Sequence, residues 1–364
     1  MGTHSPISPS SAGRWVNCPA SVSLKAGNGN STGSTASLEG EASHFAAAEM
    51  LQGRQPQPGQ FAENLQVLTE EMIDCAAMYV RKIRDDSLDS GVGFSIEKRI
   101  NCPMVHPESF GTPDAYGYDS SGKMLYIYDY KYGYLSIEAF ENWQCVNYAA
   151  GLLTPDVTHV IITIVQPRAI HPDGHIRTWK VSRDDLMPYI ARLNMMARVA
   201  MNPAEQYIKS GDHCRYCESL TTCPAASMAA ASWYEFIMGP MQHELTPEQK
   251  AIEVTMLRRA AKAVEYRLNA IEEEVIHNIK SGIDVPGYSL RQCFGHLSWD
   301  LSDEEITAVG DCLDVDLRKP AAITPTQAMK LIDSDVIKQY ASKKQTGFKL
   351  EPSNARKIFG GNNG

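Results

Sequence analysis

An α/β or α+β core of about 200 residues, followed by a mainly helical region, is the fold class that this 364-residue sequence predicts. Three observations predict it. Helix-period and strand-period runs alternate in the order helix, sheet, helix, sheet between Glu39 and Ser182. From Leu245 the pattern changes to one long amphipathic run. A 43% share of hydrophobic residues is enough to bury a core of that size. The division falls near residue 240, giving regions 1–240 and 241–364.

The elements follow in order. After a Ser/Gly-rich start, EGEASHFAAAEML (Glu39 to Leu51) predicts a helix, and LTEEMIDCAAMYVRKIRDD predicts a second with Met72, Ala76, Tyr79 and Ile83 on one stripe. FSIEKRI reads as a strand, GTPDAYGYDSSGKMLYIYDYKYG (111–133) as a hairpin, and ENWQCVNYAAGLL as a helix. THVIITIVQPR and HIRTWKVS then read as strands around the turn HPDG. The long run LTPEQKAIEVTMLRRAAKAVEYRLNAIEEEVIHNIKSG opens with a Thr246 cap, Pro247 at the first helical position and Gln249 at the capping-box position, and it closes at Gly282. Its apolar stripe from Ile252 through Met256, Leu268 and Ile271 to Ile279 must pack on its own core or on a partner chain. Beyond it, residues 283–364 read as a small mixed segment in which TPTQAMKLI carries another capping-box start.

Net charge is −9, from 34 Lys+Arg against 43 Asp+Glu, which excludes a protein that coats nucleic acid through bulk charge. The last stretch is the exception, with Lys338, Lys343, Lys344, Lys349, Arg356 and Lys357 against Glu351. It reads either as a solvated terminus or as a segment that touches phosphate. No apolar run reaches the length of a membrane span and the N-terminus lacks the apolar stretch of a signal peptide, so a cytoplasmic protein without membrane contact is expected. In that compartment the nine cysteines are thiols or metal ligands rather than disulfides. Cys75, Cys102, Cys145, Cys293 and Cys312 stand alone and are expected as small buried or neutral residues, whereas Cys214, Cys217 and Cys223 cluster in HCRYCESLTTCP.

The hairpin concentrates charge where strands normally do not. Side chains alternate along an extended run, so Leu125, Ile127, Asp129 and Lys131 share one face and Tyr126, Tyr128 and Tyr130 the other. With a loop at 120–123, Asp119 opposes Met124 and Asp114 falls opposite Asp129 on the same face. Facing Cβ atoms lie about 5 Å apart, a gap that a divalent ion with oxygen ligands at about 2.0–2.1 Å fills. A solvated hairpin face is the plain alternative, and Leu125 and Ile127 on that same face argue against it.

Pro113-Asp114 followed by Asp129-Tyr130-Lys131 resembles the signature of the PD-(D/E)XK nucleases. EGEASH, with His44, is similar to the helix that supplies a metal-binding histidine in the RecB-like branch, and Gln144 and Tyr148 match that branch's Q-x3-Y helix. Glu97 lies in the preceding strand, where related proteins often hold an acidic residue. Cys18 in RWVNCPAS, with Cys214, Cys217 and Cys223, resembles the four-cysteine set of RecB-like nucleases that carry an iron–sulfur cluster, and this layout resembles an uncharacterised phage and prophage branch. The likeness spans about residues 14–224 and leaves the C-terminal third without a counterpart.

What the resemblance implies is a restriction-endonuclease-like core, a mixed central sheet flanked by helices, stapled by a [4Fe-4S] cluster. Zn²⁺ is the competing occupant of the cysteines, and His213 is an alternative ligand to Cys18. The implied metal ligands are His44, Asp114, Asp129 and the carbonyl of Tyr130 around Mg²⁺ or Mn²⁺, with Lys131, Gln144 and Tyr148 completing the catalytic set. Core packing is the plain reading of His44, Gln144 and Tyr148. The implied activity is metal-dependent hydrolysis of single- or double-stranded DNA, as an exonuclease or endonuclease in recombination, repair or phage genome processing. Arg81, Lys82 and Arg84 or the basic tail are its candidate DNA contacts, with a recombination protein or a second copy of the chain as a partner. The reading from another class is a catalytically silent nucleic-acid-binding or assembly module on the same fold.

Overall fold

The computed structural model describes residues 5–24, 35–229, 231, 246–319, 321–322, 324–328 and 334–352. The chain divides into two compact units, Met1–Leu268 and Asn269–Gly364.

The first unit is built on a five-stranded sheet of β1 (Gly93–Ile96), β4 (Ala115–Tyr118), β5 (Met124–Tyr130), β6 (His159–Val165) and β7 (Ile176–Ser182), in that spatial order. Short strands β2 (Ile100–Asn101) and β3 (Phe110–Gly111) pair separately. β5 and β6 run parallel and every other neighbour antiparallel, so the sheet is mixed. A parallel pair needs a crossover, and helix α4 (Trp143–Leu152) supplies it between β5 and β6. Helices α1 (Ala12–Trp15), α2 (Thr35–Leu51), α3 (Glu70–Ser90) and α5 (Arg183–Met201) complete the flanks.

The alternation along β5 divides the core in two. Leu125 and Ile127 join Trp15, Val146, Ile162 and Leu186 in one cluster, while Tyr126, Tyr128 and Tyr130 join Ala46, Met72, Tyr79 and Ile83 in the other. The central strand therefore has an aliphatic face under α4 and α5 and a tyrosine face under α2 and α3. At roughly 25 cal/mol per Å² of apolar surface removed from water, these two clusters are the main source of the unit's stability. Helix α3 begins at a Thr69 cap, which accepts from the Met72 N–H at 3.2 Å, and buries the expected stripe of Met72, Ala76, Tyr79 and Ile83.

Two elements differ from expectation. FSIEKRI is not one strand: β1 ends at Ile96, Glu97 takes a left-handed backbone (φ 44°), and β2 resumes at Ile100. Helix α5 is unannounced because Pro188 lies inside it and removes one backbone donor; burial of Leu186, Ile190, Leu193 and Met196 outweighs that loss.

Helix α6 (Pro247–Lys280) has the reciprocal Thr246–Gln249 bonds of a capping box, and Gly282 takes φ 83° beyond its end. Ile252, Met256, Leu268 and Ile271 on its stripe are exposed.

Beyond α6 the C-terminal region is mixed, with strands beside its helices. Strands β8 (Tyr288–Trp299) and β11 (Ala341–Pro352) form a long antiparallel pair, and β9 (Arg318–Lys319) pairs with β10 (Ala321–Ala322). The residue sequence Tyr288-Ser289-Leu290-Arg291 alternates with the strand period, and so does Phe348-Lys349-Leu350-Glu351. Helix α7 (Asp303–Cys312), with a Ser302–Glu305 capping box, packs Ile306 with Leu317, Ala328, Ile337 and Ala341. TPTQAMKLI forms a short helix at Pro325–Ala328, and its 329–332 portion lies outside the described residues. Of the basic tail, Lys343, Lys344 and Lys349 lie on β11, while Arg356 and Lys357 lie outside the described residues.

Cys75, Cys102 and Cys145 are buried, as expected for isolated thiols, but Cys312 at the end of α7 is exposed. The side chain of Cys293 lies outside the described residues. Among the described residues, no helix is long and apolar enough to cross a membrane.

Candidate active site

The β4–β5 hairpin runs in the register Ala115↔Tyr128, Tyr116↔Ile127, Gly117↔Tyr126 and Tyr118↔Leu125. Beyond Ala115 the first arm leaves the sheet. Asp114 Oδ2 accepts a hydrogen bond from the Tyr130 backbone N–H at 2.7 Å, and the Asp114 carbonyl accepts from the Glu97 N–H at 3.0 Å. The left-handed turn at Glu97 lets this second bond form, so the strand break that sequence periodicity missed positions an acidic side chain beside Asp114.

Helix α2 presents His44 to the same end of the hairpin. The preceding residue, Ser43, is fully buried and shares a 2.7 Å hydrogen bond with the Tyr130 hydroxyl, which fixes the rotation of the helix over the tyrosine face. His44 Nδ1 then lies 3.4 Å from Asp114 Oδ1, with its ring 5.0 Å from that of Tyr130. The Tyr130 side chain points away from the carboxylates, so only its backbone is available to the site. Sequence reasoning did not single out Ser43; its place next to His44 in an otherwise alanine-rich helix is the signal that could have found it.

On the other side, Lys131 Nζ donates to Asp129 Oδ1 at 3.0 Å and to Gln144 Oε1 at 3.1 Å. Gln144 Nε2 reaches the Tyr148 hydroxyl at 3.5 Å, and that hydroxyl donates to the Thr112 carbonyl at 3.0 Å. Gln144 and Tyr148 are one helical turn apart on α4 and therefore face the hairpin together. Gly111 makes room for this contact: a Cβ there would lie 2.8 Å from the Pro9 ring and 3.1 Å from the Tyr148 ring. His44, Asp114, Asp129, Lys131, Gln144 and Tyr148 are thus linked through adjoining contacts, with Glu97 on the rim.

The charges in this cluster shape one another. Burial is the largest influence on Asp129, which is 1% exposed; it raises the carboxyl pKa, and the negative Asp114 adds to it against the downward pull of Lys131. Burial also works against the Asp114 carboxylate, but His44, Lys131 and the Tyr130 N–H outweigh it and hold its pKa below the ordinary range. Burial opposes the His44 imidazolium too, and the neighbouring Asp114 overcomes it and raises the pKa. Lys131 follows the same logic, burial being outweighed by Asp129 and Asp114, so its ammonium stays charged at neutral pH. Glu97 is raised by burial and then by Asp114.

Three carboxylates therefore crowd one imidazole and one ammonium. Asp129 Oδ2 is buried and, although 3.0 Å from the Lys131 ammonium, has no hydrogen-bond donor. A buried carboxylate ion-paired with Lys131 next to the second carboxylate of Asp114 fits a hard cation. Among the described residues no group of three or more His, Cys, Asp or Glu side chains is arranged to hold a metal ion as it stands. Asp114 is engaged by His44 and Tyr130, and Asp129 by Lys131.

A groove of roughly 900 Å³ opens over the cluster. His44, Glu97 and Lys131 line it together with Glu41 and Phe45 of α2 and Glu63 and Asn64 of the α2–α3 loop. Asn64 pins that loop by donating to the Leu38 carbonyl at 2.8 Å.

The four cysteines of the resemblance border one cavity, without the arrangement of three or more that would hold a metal as it stands. Cys18, buried at the start of a 3-10 turn, lines one small cavity with Cys214, Cys217 and Cys223, and all four thiols are free. The segments are stitched by Ala20 N–H to the Tyr207 carbonyl (3.2 Å), Arg14 to the Tyr216 carbonyl (3.2 Å) and Ser219 to the Leu24 carbonyl (3.2 Å). Cys18 Sγ accepts from the Lys209 N–H at 3.5 Å. Burial raises the pKa of Cys18 and of Cys214, and the neighbouring thiols add to it. His213 borders the cavity, but its Nε2 contacts the Lys209 carbonyl at 2.7 Å.

Residues 4–347 match the family described as "Protein of unknown function (DUF2800)", and the chain belongs to it. It is similar to the solved structure of SSO0001, at 14% identity over 62% of this chain and 88% of that one, with a TM-score of 0.30. It is also similar to LHK-Exo in complex with dAMP, at 12% identity over 45% and 88%, with a TM-score of 0.25. An alkaline exonuclease (LHK-Exo) from Laribacter hongkongensis gives 11% identity over 44% and 75%, with a TM-score of 0.25. Likenesses this distant leave the function to be argued from the chain's own residues.

Proposed function

We propose that this chain is a divalent-metal-dependent nuclease that hydrolyses phosphodiester bonds of DNA, acting as an exonuclease. The observation that carries the reading is two sets of contacts at one end of a hairpin, His44 with Asp114 and the Tyr130 N–H, and Lys131 with Asp129 and with Gln144, which reaches Tyr148. His44, Asp114, Asp129 and the Tyr130 carbonyl would hold Mg²⁺ or Mn²⁺, the imidazole favouring Mn²⁺. When bound, a hard divalent cation supplies Lewis acidity to the scissile phosphate and makes water acidic enough to attack near neutral pH.

The chain's own groups do the rest. Asp114, held ionised by its neighbours, and Asp129, ion-paired with Lys131, supply anionic ligands. Lys131 carries a charged ammonium, aimed by Asp129 and Gln144, that meets negative charge developing on the phosphate or orients the attacking water. Tyr148, anchored on the Thr112 carbonyl, keeps Gln144 at that station. Glu97, which lines the groove, would accept a proton from water.

Cys18, Cys214, Cys217 and Cys223 would hold a [4Fe-4S] cluster, with Zn²⁺ the alternative; four free thiols around one cavity fit a thiolate-ligated centre. Its role is structural, because it would tie segments almost two hundred residues apart and remove loop-closure entropy from the unfolded chain. The setting we propose is phage or prophage recombination, repair or genome processing.

End-labelled single- and double-stranded DNA incubated with anaerobically purified protein and Mn²⁺ tests the activity. Cleavage that EDTA stops and that Lys131→Ala lacks supports it. Failure on every DNA form with either metal would leave the binding-module reading in its place.

A further inference from the structure

The groove over the carboxylates is a poor first grip for a polyanion. Glu41, Glu49, Glu63 and Glu97 line it against Arg54 and Lys131, and both cations are already engaged: Arg54 by Glu49, Lys131 by Asp129. Next to it, sharing Arg54 as a common wall, is a second cleft of roughly 650 Å³. It lies between the loop after α2, with Gln55 and Pro56, and the solvent side of α3.

The charge balance reverses there. Arg81 and Arg84 project into the cleft with Arg54, and Asp85 is the acidic residue that lines it. Positions 77, 81, 84 and 88 fall on one helical stripe, so Ala77 and Leu88 form an apolar strip beside the two guanidinium groups. Lys82, between them in sequence, points elsewhere and is paired with Asp86 at 2.6 Å. Among the described residues neither Arg81 nor Arg84 has a carboxylate partner; Arg84 donates to the Met50 carbonyl at 2.8 Å, which ties it to the end of α2. Guanidinium forks match phosphate oxygens in geometry as well as charge.

We infer that the Arg81–Arg84 cleft binds the backbone phosphates of a nucleic-acid strand and delivers that strand over the shared Arg54 wall to the carboxylate groove. The direction of delivery rests on the nuclease reading; the phosphate site rests on the two arginines and the shape of the cleft. The strand is held at the cleft without a metal, and the acidic groove admits it once cations offset its carboxylates.

The test is anisotropy of a labelled single-stranded oligonucleotide with the full chain in EDTA, from about 50 to about 200 mM salt. Removing one phosphate-binding cation lowers the slope of log K against log salt by about 0.7 on a single strand, so Arg81→Gln with Arg84→Gln should lower it by about 1.4 and Arg81→Gln alone by about 0.7. Lys82→Gln, the same charge change outside the cleft, should leave it unchanged. The single Arg81 variant keeps the test sound if removing the Arg84–Met50 hydrogen bond loosens the fold. In parallel, thymidine 5′-p-nitrophenyl phosphate, too short to span both sites, should be hydrolysed by the double variant at the wild-type rate with Mn²⁺. Equal slopes for the wild type and both arginine variants, or a fall equally large in Lys82→Gln, would overturn the inference. A wild type that binds with the arginine-dependent slope yet hydrolyses neither substrate would sink the nuclease reading and leave the phosphate cleft standing.

Discussion

The carboxylate site and the cysteine cavity both gather residues from distant parts of the chain, but they are held together differently. At the carboxylate site nearly every polar atom has a protein partner: Ser43 locks α2, Tyr130 N–H locks Asp114, and Gln144 and Asp129 share Lys131. In the cysteine cavity the backbone is stitched while the four thiols are free, and the Lys209 N–H is the donor that meets Cys18. The first region is preorganised by the chain alone. The second has donors facing one another with little to hold them, which is the condition in which a guest adds most to stability.

That contrast can be broken most severely at Lys131. Replacing it with Ala should lower DNA cleavage on the order of 10³-fold, the scale of removing one group that stabilises transition-state charge. The fold should persist, because burial already favours a protonated Asp129 and the carboxyl can take up a proton when the ammonium goes. Rapid-quench rates alongside thermal melting check both halves.

Cys214→Ser should produce the opposite pattern. Bound iron and acid-labile sulfide should disappear, and stability should fall by about 5 kcal/mol, the scale of closing a loop of this length. Chemical denaturation with metal analysis reads this out, and activity should fall only as far as the folded fraction does.

A smaller effect sharpens the preorganised side. Gln144→Ala removes one hydrogen bond to Lys131, worth about 1.4 kcal/mol, and should slow cleavage about tenfold without altering metal affinity. The pH dependence of Mn²⁺ binding probes His44. Its pKa is raised, so the neutral imidazole that can act as a ligand becomes available only as pH rises above the ordinary histidine range. Mn²⁺ affinity should climb with pH through that region, and His44→Gln should flatten the climb; calorimetry in two buffers would also register the released proton.

Thiol labelling gives the mildest test. Cys312 is exposed and should react readily with iodoacetamide. Cys102, pushed up to about 12 by burial, and Cys145, raised by burial within the core, should stay unlabelled in the native chain. Cys214, Cys217 and Cys223, which are only half-buried, should label in metal-free protein and resist after reconstitution.

How much of this was legible in the sequence depends on the range of the forces involved. The period-2 alternation of β5 separated Leu125 and Ile127 from the tyrosines because a strand has only two faces, and both faces are buried here. The Thr246 cap was legible because a cap is a contact within one helical turn. The strand break at Glu97 was not, since its left-handed backbone answers to a bond with Asp114 seventeen residues away, and local propensity for a strand gave way to it. Helix α5 was hidden by Pro188, whose local cost is overcome by burial that the sequence does not display. The C-terminal strands were masked by the helical signal of α6 before them. The groove wall at Glu63 and Asn64 carries no motif, only the punctuation of Gly53, Pro56, Pro58 and Gly59 that marks a loop.

The central claim is that His44, Asp114, Asp129 and Lys131 act together on one divalent ion. Calorimetric titration of Mn²⁺ into the wild type, Asp114→Asn and Asp129→Asn, with cleavage of labelled DNA measured on the same preparations, tests it most directly. The account predicts tight binding and cleavage in the wild type and loss of both in each variant with native melting retained. Undiminished Mn²⁺ affinity and cleavage in both aspartate variants would contradict it.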